Sequence, residues 1–152
     1  MEEYSIIRLM PEDYYKCNNI WDMAKHESLA MKCYDELVTG NRVIFVYTVG
    51  NAYIAEGSLM FDRGDSNYTI PGQRIYLSRM IVKKEFRNQG VGHVLLDYLL
   101  QEAKTLGYAE MSVGVDTDNA PARHLYEKKG FTTVLFEGKD EYGEYVKLLK
   151  CL

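Results

Sequence analysis

No stretch of the 152-residue chain holds the roughly 18–20 consecutive apolar residues that a membrane-crossing helix requires, so no membrane role is expected. The opening MEEYSIIRLMPED is acidic and polar. It fits neither a secretory signal nor a transit peptide and leaves a cytoplasmic setting as the expectation. Cysteine is scarce: Cys17, Cys33 and Cys151 lie far apart, form no CxxC pair and, being odd in number, cannot all join in internal disulfides. Reduced thiols are expected. The histidines His26, His93 and His124 lack metal-ligand spacing with one another or with cysteine, so no metal is expected. A basic excess is missing too, since 18 Lys and Arg face 22 Asp and Glu, which argues against a general nucleic-acid binder. With no repeat, low-complexity tract or linker, the reading is one domain over residues 1–152, long enough to bury a core.

What is present is an alternation of short apolar runs and amphipathic stretches. Tyr4 to Met10 suits a strand, and Pro11-Glu12-Asp13 suits a first helical turn. The spacing of Tyr14, Cys17, Ile20, Trp21 and Ala24 predicts a helix over 11–25, and a second helix over 28–38 stops at Gly40. Strands over 42–49 and 52–61 flank the Gly50-Asn51 turn, and the polar, turn-rich 62–72 reads as a loop. A strand over 74–82 precedes a helix over 90–106, whose face carries Val91, Val94, Leu95, Tyr98, Leu99 and Ala103. Residues 109–116 alternate as a strand, with Ser112, Gly114 and Asp116 on the face opposite Met111, Val113 and Val115. Asp118 or Asn119 caps a helix that ends at Gly130, and strands over 131–136 and 145–149 close the chain. The order β-α-α-β-β-β-α-β-α-β-β predicts a mixed α/β (α+β) fold with one central, mostly antiparallel twisted sheet of about six or seven strands and about four helices.

The stretch IYLSRMIVKKEFRNQGVG, Ile75 to Gly92, runs from a strand through a glycine-containing basic turn to a helix N-terminus. The first backbone N–H groups of a helix lack internal partners, and its dipole favours negative charge, so this turn suits an anion such as a pyrophosphate. It is not a dinucleotide fingerprint, because Leu95 stands where the third glycine belongs, nor a Walker loop, because no Gly-Lys-Ser/Thr follows.

The run Val82-x-x-x-x-Arg87-Asn88-Gln89-Gly90-Val91-Gly92 resembles motif A of the GCN5-related N-acetyltransferases. Asn119-Ala-Pro-Ala-Arg-His-Leu-Tyr126-Glu-Lys-Lys-Gly130-Phe131 resembles that family's second signature, and Ile7-Arg8 followed by Asp13 resembles its first strand. The resemblance covers nearly the whole chain and implies acetyl-CoA as cosubstrate with a primary amine as acceptor. It implies that backbone groups of Arg87, Asn88, Gln89, Gly90, Val91 and Gly92 hold the pyrophosphate, while Met80, Ile81 and Val82 pair their main chain with the pantetheine arm. Asn119 is implied either to bond that arm or to cap its helix. Tyr126 is implied as the acid that protonates the leaving thiolate; apart from the motif it reads as a packed tyrosine on a helix face.

The departures concern the base. Histone-type members carry a glutamate on the central strand where Tyr76 stands here, and ribosomal-protein N-terminal acetylating members carry one where Gly114 stands, five residues before Asn119. Asp116, Glu56 and Glu27 remain as acidic candidates beside a water relay with no single base. An acetyltransferase acting on a small molecule or peptide, as a monomer or homodimer, is therefore one expectation, and a non-catalytic acyl-CoA-binding sensor or interaction module is the other.

Overall fold

The computed structural model describes residues 3–152. The strands are β1 (Tyr4–Arg8), β2 (Arg42–Val49), β3 (Ala52–Met60), β4 (Arg74–Val82), β5 (Glu110–Asp116), β6 (Thr133–Asp140) and β7 (Gly143–Cys151). They form one seven-stranded sheet in the order β1-β2-β3-β4-β5-β7-β6. The helices are a 3₁₀ helix over Pro11–Asn19, α1 (Glu27–Thr39), α2 (Val91–Thr105) and α3 (Ala120–Lys128), with one further 3₁₀ turn at Lys84–Phe86. The mixed α/β architecture and element order agree with the sequence reading. Among the described residues no helix is long and apolar enough to cross a membrane.

The chain divides into two compact units. The first comprises the chain up to Leu59 together with Arg79–Leu99. In it β1 pairs antiparallel with β2, from Tyr4↔Val49 to Arg8↔Phe45, and the Tyr4 ring stacks on Tyr47 with centroids 4.7 Å apart. The segment after β1 differs from the helix expected over 11–25. It winds as a 3₁₀ helix and ends at Asn19, leaving Trp21 only half-buried and Ala24 exposed. The reason lies in the spacing: Tyr14, Cys17 and Ile20 are three apart, and three residues per turn place them on one buried line. The Tyr14 hydroxyl donates to the Ala30 carbonyl at 3.0 Å and so ties this segment to α1. In turn α1 buries Ala30, Cys33 and Leu37, and Gly40 ends it at φ 84°.

The second unit comprises Met60–Ser78 and Leu100–Leu152. Here the start of β4 pairs parallel with β5, and β7 pairs antiparallel with β5 on one side and β6 on the other. Among the described residues the β4–β5 ladder runs from Arg74↔Glu110 to Leu77↔Val113, although β5 continues to Asp116. The last hairpin is longer and tighter than expected. Residues 137–144, between the two strands expected over 131–136 and 145–149, are mostly strand, because Asp140 Oδ1 accepts from the Tyr142 N–H at 2.8 Å and closes the connection in two residues. A register irregularity interrupts this hairpin between Val134 and Phe136.

Candidate active site

In the first unit β4 ends at Val82, and the backbone turns through Lys84–Phe86 into the start of α2. Asn88 and Gly90 both take left-handed conformations, at φ 62° and 84°. Gly90 suits that region because it has no Cβ, and open space lies where one would stand. The first amide of α2 to find a carbonyl is Val94, which donates to Gly90 at 3.2 Å. Consecutive N–H groups from Asn88 to His93 meet no acceptor among the described residues. They lie at the positive end of a fifteen-residue helix, an arrangement whose chemistry favours an anion.

Side chains brace this turn instead of filling it. Arg87 Nε donates to the Val82 carbonyl at 3.0 Å, and Gln89 Nε2 donates to the Glu85 carbonyl at 3.0 Å. Arg87 thus braces the loop, its Nε committed to the main chain. Met80, Ile81 and Val82 are half-buried, and Ile81 packs on the core of the first unit.

Glu56, a sequence candidate for the base, sits on β3 with only 2% of its surface exposed. Its Oε1 lies 3.3 Å from Arg79 Nε, while its Oε2 is buried with no hydrogen-bond partner among the described residues. Arg79 in turn lies over the Trp21 ring, 4.3 Å from its centroid, and the buried Trp21 Nε1 also lacks a hydrogen-bond partner among the described residues. Burial first, and then the charge of Glu56, push the Cys17 thiol far above the usual range. Glu56 is therefore an enclosed, ion-paired carboxylate. Glu27 lies exposed at the start of α1.

The second unit holds Tyr126, Asn119 and Asp116. Asn119 is the N-cap of α3, its side-chain oxygen accepting from the Ala122 N–H at 3.3 Å. Tyr126 projects from α3, is 8% exposed, and meets the Phe131 ring edge-on at 5.7 Å. Its hydroxyl has no hydrogen-bond partner among the described residues. Burial, and then the neighbouring Tyr76, push it up to about 12, so it keeps its proton throughout the neutral range. Asp116 is an exposed carboxylate at the end of β5.

The model of the acetyltransferase (GNAT) family matches residues 4–131. The chain belongs to that family. GCN5-related N-acetyltransferase 7, chloroplastic, from Arabidopsis thaliana is 43% identical over 58 residues, covering 38% of this chain and 21% of that protein. Streptothricin acetyltransferase from Streptomyces lavendulae is 29% identical over 84 residues, covering 52% of this chain and 44% of that enzyme. The matched region thus spans less than half the length of either curated relative. Among solved structures, the PaiA N-acetyltransferase of Thermoplasma acidophilum in complex with coenzyme A has the same fold, with a TM-score of 0.73 at 18% identity over 99% of each chain.

Two GNAT positions read from the sequence as missing carboxylates have a structural counterpart. At Gly114 the space a side chain would take is filled: a Cβ there would lie 2.5 Å from the Tyr68 hydroxyl oxygen. Tyr68 also stacks on Tyr76, centroids 4.2 Å apart. The motif reading did not single out Tyr68. Its only trace in the sequence was a glycine on a strand otherwise rich in larger residues, a sign of close approach by something else.

Proposed function

We propose that this GNAT domain, over residues 1–152, transfers the acetyl group of acetyl-CoA to a primary amine of a small molecule or peptide, by direct attack within a ternary complex. The observation that carries the reading is the run of unengaged N–H groups from Asn88 to His93 at the start of α2. A CoA pyrophosphate matches that array in charge and in its surplus of acceptor oxygens. The main chain of Met80, Ile81 and Val82 lines the pantetheine arm, and a backbone N–H there polarises the thioester carbonyl. The NH₂ group of Asn119 adds a hydrogen bond to the arm while its oxygen caps α3.

Tyr126 acts on the leaving sulfur. Its phenol at about 12 is a weaker acid than a thiol near 8.5, so it assists as a hydrogen-bond donor to the developing thiolate before the proton follows. Asp116, exposed at the strand end, is a better exit for the amine proton than Glu56, whose carboxylate is enclosed with Arg79. Water links the amine to bulk solvent, and the reaction suits a cytoplasmic pool of amines.

The test follows thiol release from acetyl-CoA across a panel of primary amines, for the wild type and Tyr126→Phe. Wild-type turnover, reduced about 100-fold in the variant at unchanged CoA affinity, is the expected result. CoA binding without thiol release on any amine would favour the non-catalytic acyl-CoA sensor, which the missing glutamates at positions 76 and 114 make the second reading. Full activity in Tyr126→Phe would remove the tyrosine from the mechanism.

A further inference from the structure

Tyr68 belongs to the loop between β3 and β4, yet it is held like a core residue. Its carbonyl accepts from Ser112 Oγ at 2.6 Å, and its ring stacks on Tyr76. Lys147 Nζ lies 4.7 Å from the ring centroid while it bonds Asp65 Oδ2 at 2.7 Å, which ties down the loop just before the tyrosine. Asp65 also accepts, through its carbonyl, from the Tyr68 N–H at 2.9 Å. Each of these contacts engages the backbone or the ring. None uses the hydroxyl, which has no hydrogen-bond partner among the described residues and rests over Gly114.

A phenylalanine would satisfy the same packing, so the packing alone does not account for the oxygen. Its place is specific. Gly114 is the first residue of β5 beyond the ladder with β4, and any side chain there would displace the hydroxyl. The ring beneath it, Tyr76, also acts on the ionisation of Tyr126, so all three phenols belong to one neighbourhood of the second unit. The nearest loop carboxylate, Asp65, is already engaged by Lys147. What this neighbourhood offers is a neutral oxygen with a free lone pair and a free proton, not an anion.

We propose that Tyr68 is the acceptor-contacting residue of the acetyl transfer, its phenol oxygen receiving a hydrogen bond from the attacking primary amine and relaying that proton to water. The inference rests on the acetyltransferase reading above. The amine nitrogen bonds to the acetyl carbon and the C–S bond breaks. One N–H proton passes to the Tyr68 oxygen as the tyrosine gives its own proton to a water. The sulfur takes a proton from Tyr126, which is refilled from solvent, and the products are the amide and the free thiol. Burial holds Tyr68 above the usual phenol range, which keeps it neutral between turnovers.

The experiment is a double-mutant cycle on the full chain with Tyr68→Phe and Gly114→Ala, assayed with acetyl-CoA and the best amine of the panel. CoA affinity and thermal unfolding are followed in parallel. Each single variant is expected to lower kcat/KM for the amine about 10- to 100-fold, with the acetyl-CoA KM and the CoA Kd within about twofold of wild type. In the Tyr68→Phe background, Gly114→Ala is expected to cost less than about threefold, because the oxygen that its methyl would displace is gone. Tyr68→Phe activity equal to wild type overturns the proposal. So does a Gly114→Ala loss that persists undiminished in the double variant, or losses that simply follow the melting temperature. Should Gly114→Ala fail to fold, Tyr68→Phe decides alone. A wild type that binds CoA but releases no thiol with any amine overturns this proposal and the acetyltransferase reading together, whereas an active wild type matched by Tyr68→Phe overturns only the role of Tyr68.

Discussion

At Glu56 the chain encloses a carboxylate with one oxygen on Arg79 and the other without a hydrogen-bond partner among the described residues. Removing one partner of a buried pair is costlier than removing both, because a lone charge then stays out of water. Arg79→Met should therefore lower the unfolding free energy by about 3–5 kcal/mol, and adding Glu56→Gln should recover a large part of that loss. Denaturant unfolding of the three variants checks this, and a double variant no more stable than Arg79→Met would refute the account. Residue roles differed in how legible they were in the sequence. Tyr126 and Asn119 could be placed because a helical motif sets their mutual spacing locally. Tyr68 could not, because its position depends on Ser112, Lys147 and Gly114, residues far along the chain that a linear pattern does not connect.

Among the elements, the turn into α2 and the end of α1 make a matched pair. Gly90 and Gly40 both sit at φ 84°, each with open space where a Cβ would project. Alanine at either position meets the same left-handed strain, about 1–2 kcal/mol. Only Gly90 shapes the row of free N–H groups, so Gly90→Ala should also weaken CoA binding about tenfold, while Gly40→Ala should leave it unchanged. Titration calorimetry with CoA, run beside thermal melts, separates the two effects; equal affinities in both variants would sink the cradle. The strands β2 and β4 begin and end where the sequence reading put them, because turn residues bracket their apolar runs. The segment after β1 was misread because Tyr14, Cys17 and Ile20 fit both a 3.6 and a 3.0 repeat over so short a span. The last hairpin was misread because β6 is largely exposed and carries no apolar alternation that would announce it.

For the molecule as a whole, buried weak acids set the alkaline limit. Burial raises Tyr14, Tyr68, Tyr126, Cys17 and Cys33 above their ordinary ranges. Below about pH 8 these groups are protonated whether the chain is folded or not, and their contribution is fully present. As pH rises past about 8.5 for the thiols and 10 for the phenols, the unfolded chain releases protons that the folded one retains, so stability falls. Asp65 works in the opposite sense. The Lys147 hydrogen bond lowers it, so its contribution holds above about pH 4 and is lost as pH falls below that. The melting temperature should be highest between about pH 5 and 8 and should drop steadily above about pH 9; a level profile to pH 10.5 would contradict this. The irregularity between Val134 and Phe136 bears on how whole molecules meet. The edge strand β6 exposes both of these apolar side chains to its surroundings. A regular strand there would offer a neighbouring chain an unbroken row of amides and carbonyls on which to add its own strand. The bulge breaks that row near its start, so an intruding strand could match only part of it, and growth from sheet to sheet is discouraged at this edge.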